Sequence, residues 1–322
     1  MESNRITQTV LGIDIGGSKV CLALVSDQGD ILHSVRYPGE YTDLDGFTSK
    51  LYNHIDVFLA KWCTARRPAG IGIGIKALVD YKRQRLFSSS LLGALVPYDF
   101  CSELYKRYGI PAVIDNDVKA ATLAELKFGA GRLADNFSFI NIGTGTAVGI
   151  VTDGRLLRGK TNDAGEMGST FFERVCSEEV FFTLESVASG KGAADEAVRL
   201  TDKYPQSCLG ERIQSGEKIS GFDVFKSYGE RDKLAEGSVR SFLRVLALGI
   251  FNLEMIVNSR LYVFGGGVVT GCGWLLPELR NEIEHICKKL SHSWVAEFRT
   301  SELGADDVGV LGAASIALDA PV

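Results

Sequence analysis

The sequence has no CxxC pair, no basic block and no uninterrupted apolar run of membrane-spanning length. Its cysteines, Cys21, Cys63, Cys101, Cys176, Cys208, Cys272 and Cys287, are odd in number and scattered. That argues against a disulfide framework and suits a reducing cytoplasm, with most thiols acting as small apolar groups. The four histidines, His33, His54, His285 and His292, form no metal-ligand spacing. A net charge of −5 without a basic patch argues against nucleic acid as a partner. The most apolar long window, FLRVLALGIFNLEMIV, carries Arg244, Asn252 and Glu254, so it reads as a buried helix and argues against a membrane partner. The first seventeen residues hold no apolar run with a cleavage site, so no secretory signal is expected.

What is present is a duplication. GIDIGGSK at 12–19 aligns with FINIGTGTAVGI at 139–150, Ile13-Asp14-Ile15-Gly16 falling on Ile140-Asn141-Ile142-Gly143. Each is followed by a strand–hairpin–strand pattern, VCLALVSDQGDIL in one case and AVGIVTDGRLL in the other. A chain of 322 residues with two such openings predicts two similar α/β lobes. After the first hairpin, Phe47, Leu51, Ile55, Phe58 and Trp62 share a helical face that Asp43 or Asp45 can cap. Strand, helix, strand, helix follow through AGIGIGIKALVD, YDFCSELYKRYG, IPAVIDND and VKAATLAELKFG, as in a mainly parallel sheet. In the second half, 178–204 reads as helical, 205–221 as a loop and 222–257 as a helix pair. RLYVFGGGVV reads as a strand entering a turn, and the Gly/Ala-rich DDVGVLGAASIAL as a closing helix suited to tight backbone contact.

Three glycine turns follow three apolar strands: Gly16-Gly17-Ser18-Lys19, Gly143-Thr144-Gly145-Thr146 and Gly265-Gly266-Gly267. Glycine lets backbone N–H groups approach an anion, and the Ser, Thr and Lys side chains add donors. None is a Walker loop, and none opens a helix as a dinucleotide fingerprint does. Asp14 is either a carboxylate for hydrated Mg²⁺ or a turn cap. Asp115-Asn116-Asp117 sits between a strand and a helix. There Asp117 either takes a proton from a hydroxyl or caps the helix, and Asn116 can bond hydroxyls through its amide. Glu166 and Glu185 can accept from a polyol, although spacing alone favours solvated acids.

Taken together, these segments resemble the ROK (repressor, open reading frame, kinase) family of sugar kinases over nearly the whole chain. GIDIGGSK and INIGTGTAVGIVTDGRLLRG resemble its two phosphate motifs, and DNDVKAATLAE its catalytic segment. AGEMG with LESVASG resembles its sugar-side signature, VFGGGV its adenosine motif and DDVGVLGAASIAL its closing helix. The resemblance implies a two-lobed ribonuclease H-like/actin-like ATPase fold, with duplicated βββαβα units and a cleft between lobes. The smaller lobe would take 1–120 and 306–322, the larger 121–305 with the dimer surface of a homodimer. It implies ATP and Mg²⁺ as cofactors, with Asp14 holding Mg²⁺ through water and the three glycine turns binding nucleotide. Asp117 would be the general base. Asn116, Glu166 and Glu185 would hold a sugar or sugar-like polyol.

The departures surround the acceptor. Where the family has a His and a cysteine cluster for zinc, this chain has Ser169 and only Cys176 nearby, so no zinc site is expected. Lys76 and Ala77 stand where the family has Pro-Gly or Gly-Gly, and Ser90 where an Asn is common. These three changes point to a hexose-like acceptor other than glucose, such as an amino sugar or a cyclitol. Family repressors carry a helix-turn-helix ahead of this core. Only about eleven residues precede the first strand here, too few for one, so a DNA-binding role is not expected. A catalytically silent sugar-binding relative is the alternative expectation.

Overall fold

The computed structural model describes residues 8–39, 43–64, 66–89, 91–92, 97–175, 180–294 and 296–320. Ser90 and Cys176 lie outside the described residues. The first half runs β1 (Thr9–Ile15), β2 (Lys19–Ser26), β3 (Ile31–Pro38), α1 (Leu44–Trp62), β4 (Ile71–Ile75), β5 (Leu78–Asp80), β6 (Arg85–Ser88), α2 (Phe100–Tyr108), β7 (Ala112–Asn116) and α3 (Asp117–Lys127). Its main sheet has the order β3-β2-β1-β4-β7. β1, β2 and β3 are antiparallel neighbours, whereas β1, β4 and β7 run parallel. Between the two choices the sequence left, Asp43 caps α1 by accepting from the Gly46 N–H at 2.7 Å. The apolar face of α1 packs Phe47, Leu51, Ile55 and Phe58 into the core formed by β1, β2 and β4.

The second half runs β8 (Phe137–Ile142), β9 (Thr146–Thr152), β10 (Arg155–Leu156), β11 (Phe171–Val175), β12 (Val180–Thr183), α4 (Gly190–Leu200), α5 (Cys208–Gln214), α6 (Gly221–Gly229), α7 (Lys233–Val257), β13 (Leu261–Gly265), α8 (Gly267–Gly271), α9 (Leu275–Leu290), β14 (Glu297–Thr300) and α10 (Val308–Leu318). Its sheet, β10-β9-β8-β13-β14, repeats the order of the first: a central opening strand, a hairpin on one side, parallel strands on the other. The chain is therefore a mixed α/β protein with two five-stranded sheets.

Two local expectations change. Residues 180–183 form β12, because Val-Phe-Phe-Thr favours a pleated strand, and the helix begins only after Ser189 caps Gly192. The segment 205–221 contains a helix, α5, whose N-cap Ser207 is fixed by the Asp232 carboxylate at 2.7 and 2.9 Å.

Two compact units emerge: Met1–Asp135, Gly149–Ala164 and Ser301–Val322; and Asn136–Val148 with Gly165–Thr300. In the first unit α10 lies almost against backbone. A Cβ at Gly12 would stand 2.3 Å from the Val310 carbonyl oxygen, and one at Gly72 would stand 1.7 Å from that of Ala313. Gly312 of α10 touches the backbone of Ala120 in α3 in the same way. A Cβ at Gly149 would meet the Thr122 hydroxyl at 1.7 Å, which draws the outer half of β9 onto α3. No described helix is long and apolar enough to cross a membrane, and α7 carries its apolar face into the second unit's core.

Candidate active site

In the first unit the chemistry collects at the C-terminal edge of β1, β4 and β7. Asp14 pairs in register with Gly74 of β4, and Gly74 with Asp115 of β7. A Cβ at Gly74 would come within 3.9 Å of the Asp117 Cα, which places the start of α3 beside this edge of the sheet. Desolvation pushes the Asp14 carboxyl up to about 7, the Asp117 charge adds to the rise, and the Lys19 ammonium opposes it. Gly309, in the first turn of α10, abuts this carboxyl: a Cβ there would lie 2.4 Å from Oδ2. Desolvation also raises Asp117 above the usual carboxylate range. The Val118 N–H, Lys76 and Lys119 pull it back, in that order. Two carboxyl groups with raised proton affinity at one sheet edge mark a candidate functional site.

Asn116, not Asp117, caps α3. Its Oδ1 accepts from the N–H groups of Val118 (3.0 Å) and Lys119 (3.2 Å), and its amide donates to the Ala77 carbonyl at 3.3 Å. The Asp117 carboxyl accepts at its Oδ1 from the Val118 N–H at 3.0 Å. In the first turn, Gly17 and Ser18 are exposed, and Lys19 pairs with Asp306 at 2.7 Å.

Beneath this edge lies a charged cluster that sequence patterns did not disclose. Asp115 is 0% exposed. It accepts from the Asn116 N–H at 2.8 Å, from Asn162 at 2.9 Å and from Arg158 at 2.6 Å. The Arg158 guanidinium stacks 3.4 Å over the Tyr81 ring. Asn162 takes a φ of 70°, a left-handed conformation that Asn tolerates. A cavity of about 310 Å³ opens beside this cluster, bounded by Leu78, Tyr81, Phe87 and Arg158. Lys119, 2% exposed, donates to the Ala164 carbonyl at 2.8 Å. The only advance signals were a charge beside the DND motif and an arginine after a hairpin.

In the second unit Gly143-Thr144-Gly145-Thr146 joins β8 to β9, braced by the start of α4. Gly190 N–H donates to the Gly143 carbonyl at 2.8 Å and Lys191 N–H to that of Thr144 at 3.3 Å. Glu185 accepts from the Thr146 N–H at 2.8 Å, and a Cβ at Gly145 would strike its Oε2. The Thr146 hydroxyl turns inward to the Ala188 carbonyl, leaving Thr144 as the exposed hydroxyl of this turn. Glu166 and Ser169 are exposed, on the loop whose Gly168 packs against the Thr146 carbonyl. Glu185 is exposed as well, and it precedes α4 in a turn instead of starting the helix. Gly265, Gly266 and Gly267 carry β13 into the short α8. At φ 94°, Gly266 lies against the Ile142 carbonyl, where a Cβ would come within 2.3 Å. Among the described residues no group of three His, Cys, Asp or Glu side chains is placed to hold a metal ion.

Two five-stranded sheets of one strand order, each with a glycine turn after its central strand, define the actin-like ATPase class of α/β folds. Within it, the chain belongs to the ROK family, whose profile matches residues 10–320. It is 27% identical over 309 residues to a glucokinase of Halalkalibacterium halodurans, covering 94% of this chain and 92% of the relative. It is 26% identical over 271 residues to an N-acetylmannosamine kinase of Vibrio vulnificus, covering 83% and 85%. Among solved structures, a ROK family glucokinase from Streptomyces griseus, in complex with glucose and AMPPNP, superposes with a TM-score of 0.78 at 24% identity. That match covers 96% of this chain and 99% of the other.

Proposed function

We propose that this sugar kinase transfers the γ-phosphoryl group of ATP to a primary hydroxyl of a hexose, amino sugar or sugar-like cyclitol, with Asp117 as general base. The observation that carries the reading is Asp117 itself. Its carboxyl sits one residue past β7, has a raised proton affinity and lies beside a second carboxyl at the sheet's C-terminal edge. The acceptor hydroxyl would donate to that carboxylate and pass its proton there as its oxygen bonds to phosphorus. Asn116 caps α3 next to Asp117, and its amide would also hold an acceptor hydroxyl. Glu166, Glu185, Ser169, Ala77 and Ser90 would contact the acceptor. The N–H groups of the three glycine turns would bind the nucleotide.

Mg²⁺ fits Asp14. A carboxyl held up to about 7 by desolvation and a neighbouring acid gains most from a nearby cation. Bound there through water, the ion would neutralise phosphate charge.

Asp117→Asn is the test, in a coupled assay over hexoses, amino sugars and cyclitols. Turnover should fall at least ~10²-fold, the usual worth of a general base, with nucleotide binding retained. An amide variant of full activity would overturn the assignment. A cytoplasmic homodimer is part of the same proposal, read out by sedimentation of the purified chain.

A further inference from the structure

β1, β4 and β7 are parallel neighbours in which Ile15 pairs with Ile75, and Ile75 with Asn116. The next residues out are Gly16, Lys76 and Asp117. They leave the C-terminal edge of the sheet in a row, with strand-to-strand steps of about 5 Å and Lys76 in the middle. The backbone of Lys76 is fixed on both sides. Its N–H donates to the Ile15 carbonyl at 3.2 Å, and its carbonyl accepts the Ser89 hydroxyl at 3.2 Å. Its side chain is exposed.

Three lysines surround the paired carboxyls, and two are committed elsewhere. Lys19 is held by Asp306, and Lys119 is buried with its ammonium on the Ala164 carbonyl. Lys76 makes no ion pair among the described residues, yet its ammonium is close enough to Asp117 to favour the ionised carboxylate. With phosphate on the turn after β1 and Asp117 as base, as proposed above, an exposed cation stands between them in the strand order.

We propose that Lys76 is a catalytic residue whose ammonium binds the phosphoryl group in flight between the turn after β1 and Asp117. The inference rests on the kinase reading above. In the step concerned, the acceptor oxygen bonds to the γ-phosphorus, and the bond from that phosphorus to the β,γ-bridging oxygen breaks. The electron pair stays on ADP, and the acceptor proton goes to Asp117. Charge spreads over the three equatorial oxygens as the group moves, and a cation there stabilises the moving group more than bound ATP.

Lys76→Met and Lys76→Arg, compared with Asp117→Asn, test the assignment through kcat, both KM values and ATP hydrolysis without acceptor. Lys76→Met should lower kcat by about 10²-fold, as loss of one transition-state donor does, with both KM values within about threefold. Acceptor-free hydrolysis should fall in the same proportion, since water receives the same phosphoryl group. Arg should restore at least a tenth of the rate. Unchanged kcat in Lys76→Met overturns the proposal. So does an effect confined to acceptor KM with hydrolysis intact, which would make Lys76 a reader of acceptor charge. Full turnover by Asp117→Asn would instead count against the base and leave the Lys76 comparison readable.

Discussion

At the scale of single residues, the site is a balance among buried charges. Asp14 has a raised folded-state pKa, so its protonated form is the one folding favours. Its contribution to stability is complete at low pH and is lost as pH rises through about 7. Asp14→Asn should therefore leave the metal-free protein more stable at pH 8, by on the order of 1 kcal/mol, with the difference vanishing near pH 4. Thermal unfolding at the two pH values checks this. Mg²⁺ should raise the melting temperature of the wild type at pH 8 and leave the Asn variant unmoved. Lys119 lowers the Asp117 pKa, so Lys119→Met should shift the acidic limb of the kcat/KM profile to higher pH. Arg158→Met should cost about 3 kcal/mol in urea unfolding, because it leaves the Asp115 charge buried without its cation. Asp14 and Asp117 could be singled out from the sequence because each stands where an apolar strand ends, the place from which a carboxylate can act. Arg158 and Lys119 could not: their partners lie 43 and 45 residues away, and where a long charged side chain finds its partner is decided by tertiary neighbours.

At the scale of elements, close backbone approach governs the first unit. Gly12, Gly72 and Gly312 allow α10 to lie on β1, β4 and α3 without intervening side chains. Gly72→Ala should cost roughly 3 kcal/mol or more, because the Ala313 carbonyl it meets is backbone and cannot step aside. Chemical denaturation measures that loss, and Gly109→Ala, with nothing within 4 Å of the added Cβ but a φ of 65°, should cost less. The Gly/Ala composition of the last helix announced this packing. Strands, hairpins and long amphipathic helices were legible from their periodicity. β12 and α5 were not, since four and seven residues hold too little periodicity to separate strand, helix and loop.

At the scale of the whole molecule, the repeated Ile-Asx-Ile-Gly opening was the visible trace of two sheets of one strand order. The unit limits were less visible, because they follow contacts such as Gly149 on Thr122, not motifs. The first unit draws on both early and late parts of the chain, with the second inserted between them. Removing 308–318 should strip amide-exchange protection from β1 and β4 while α7 and β13 keep theirs, as hydrogen exchange would register.

The placement of α10 also sets an order of events on the ribosome. β1, β2 and β4 are synthesised early, but the helix that covers Val10, Cys21 and Ala23 emerges only after every residue of the second unit. The sheet translated first must wait, one apolar face only partly covered by α3, until translation is nearly over.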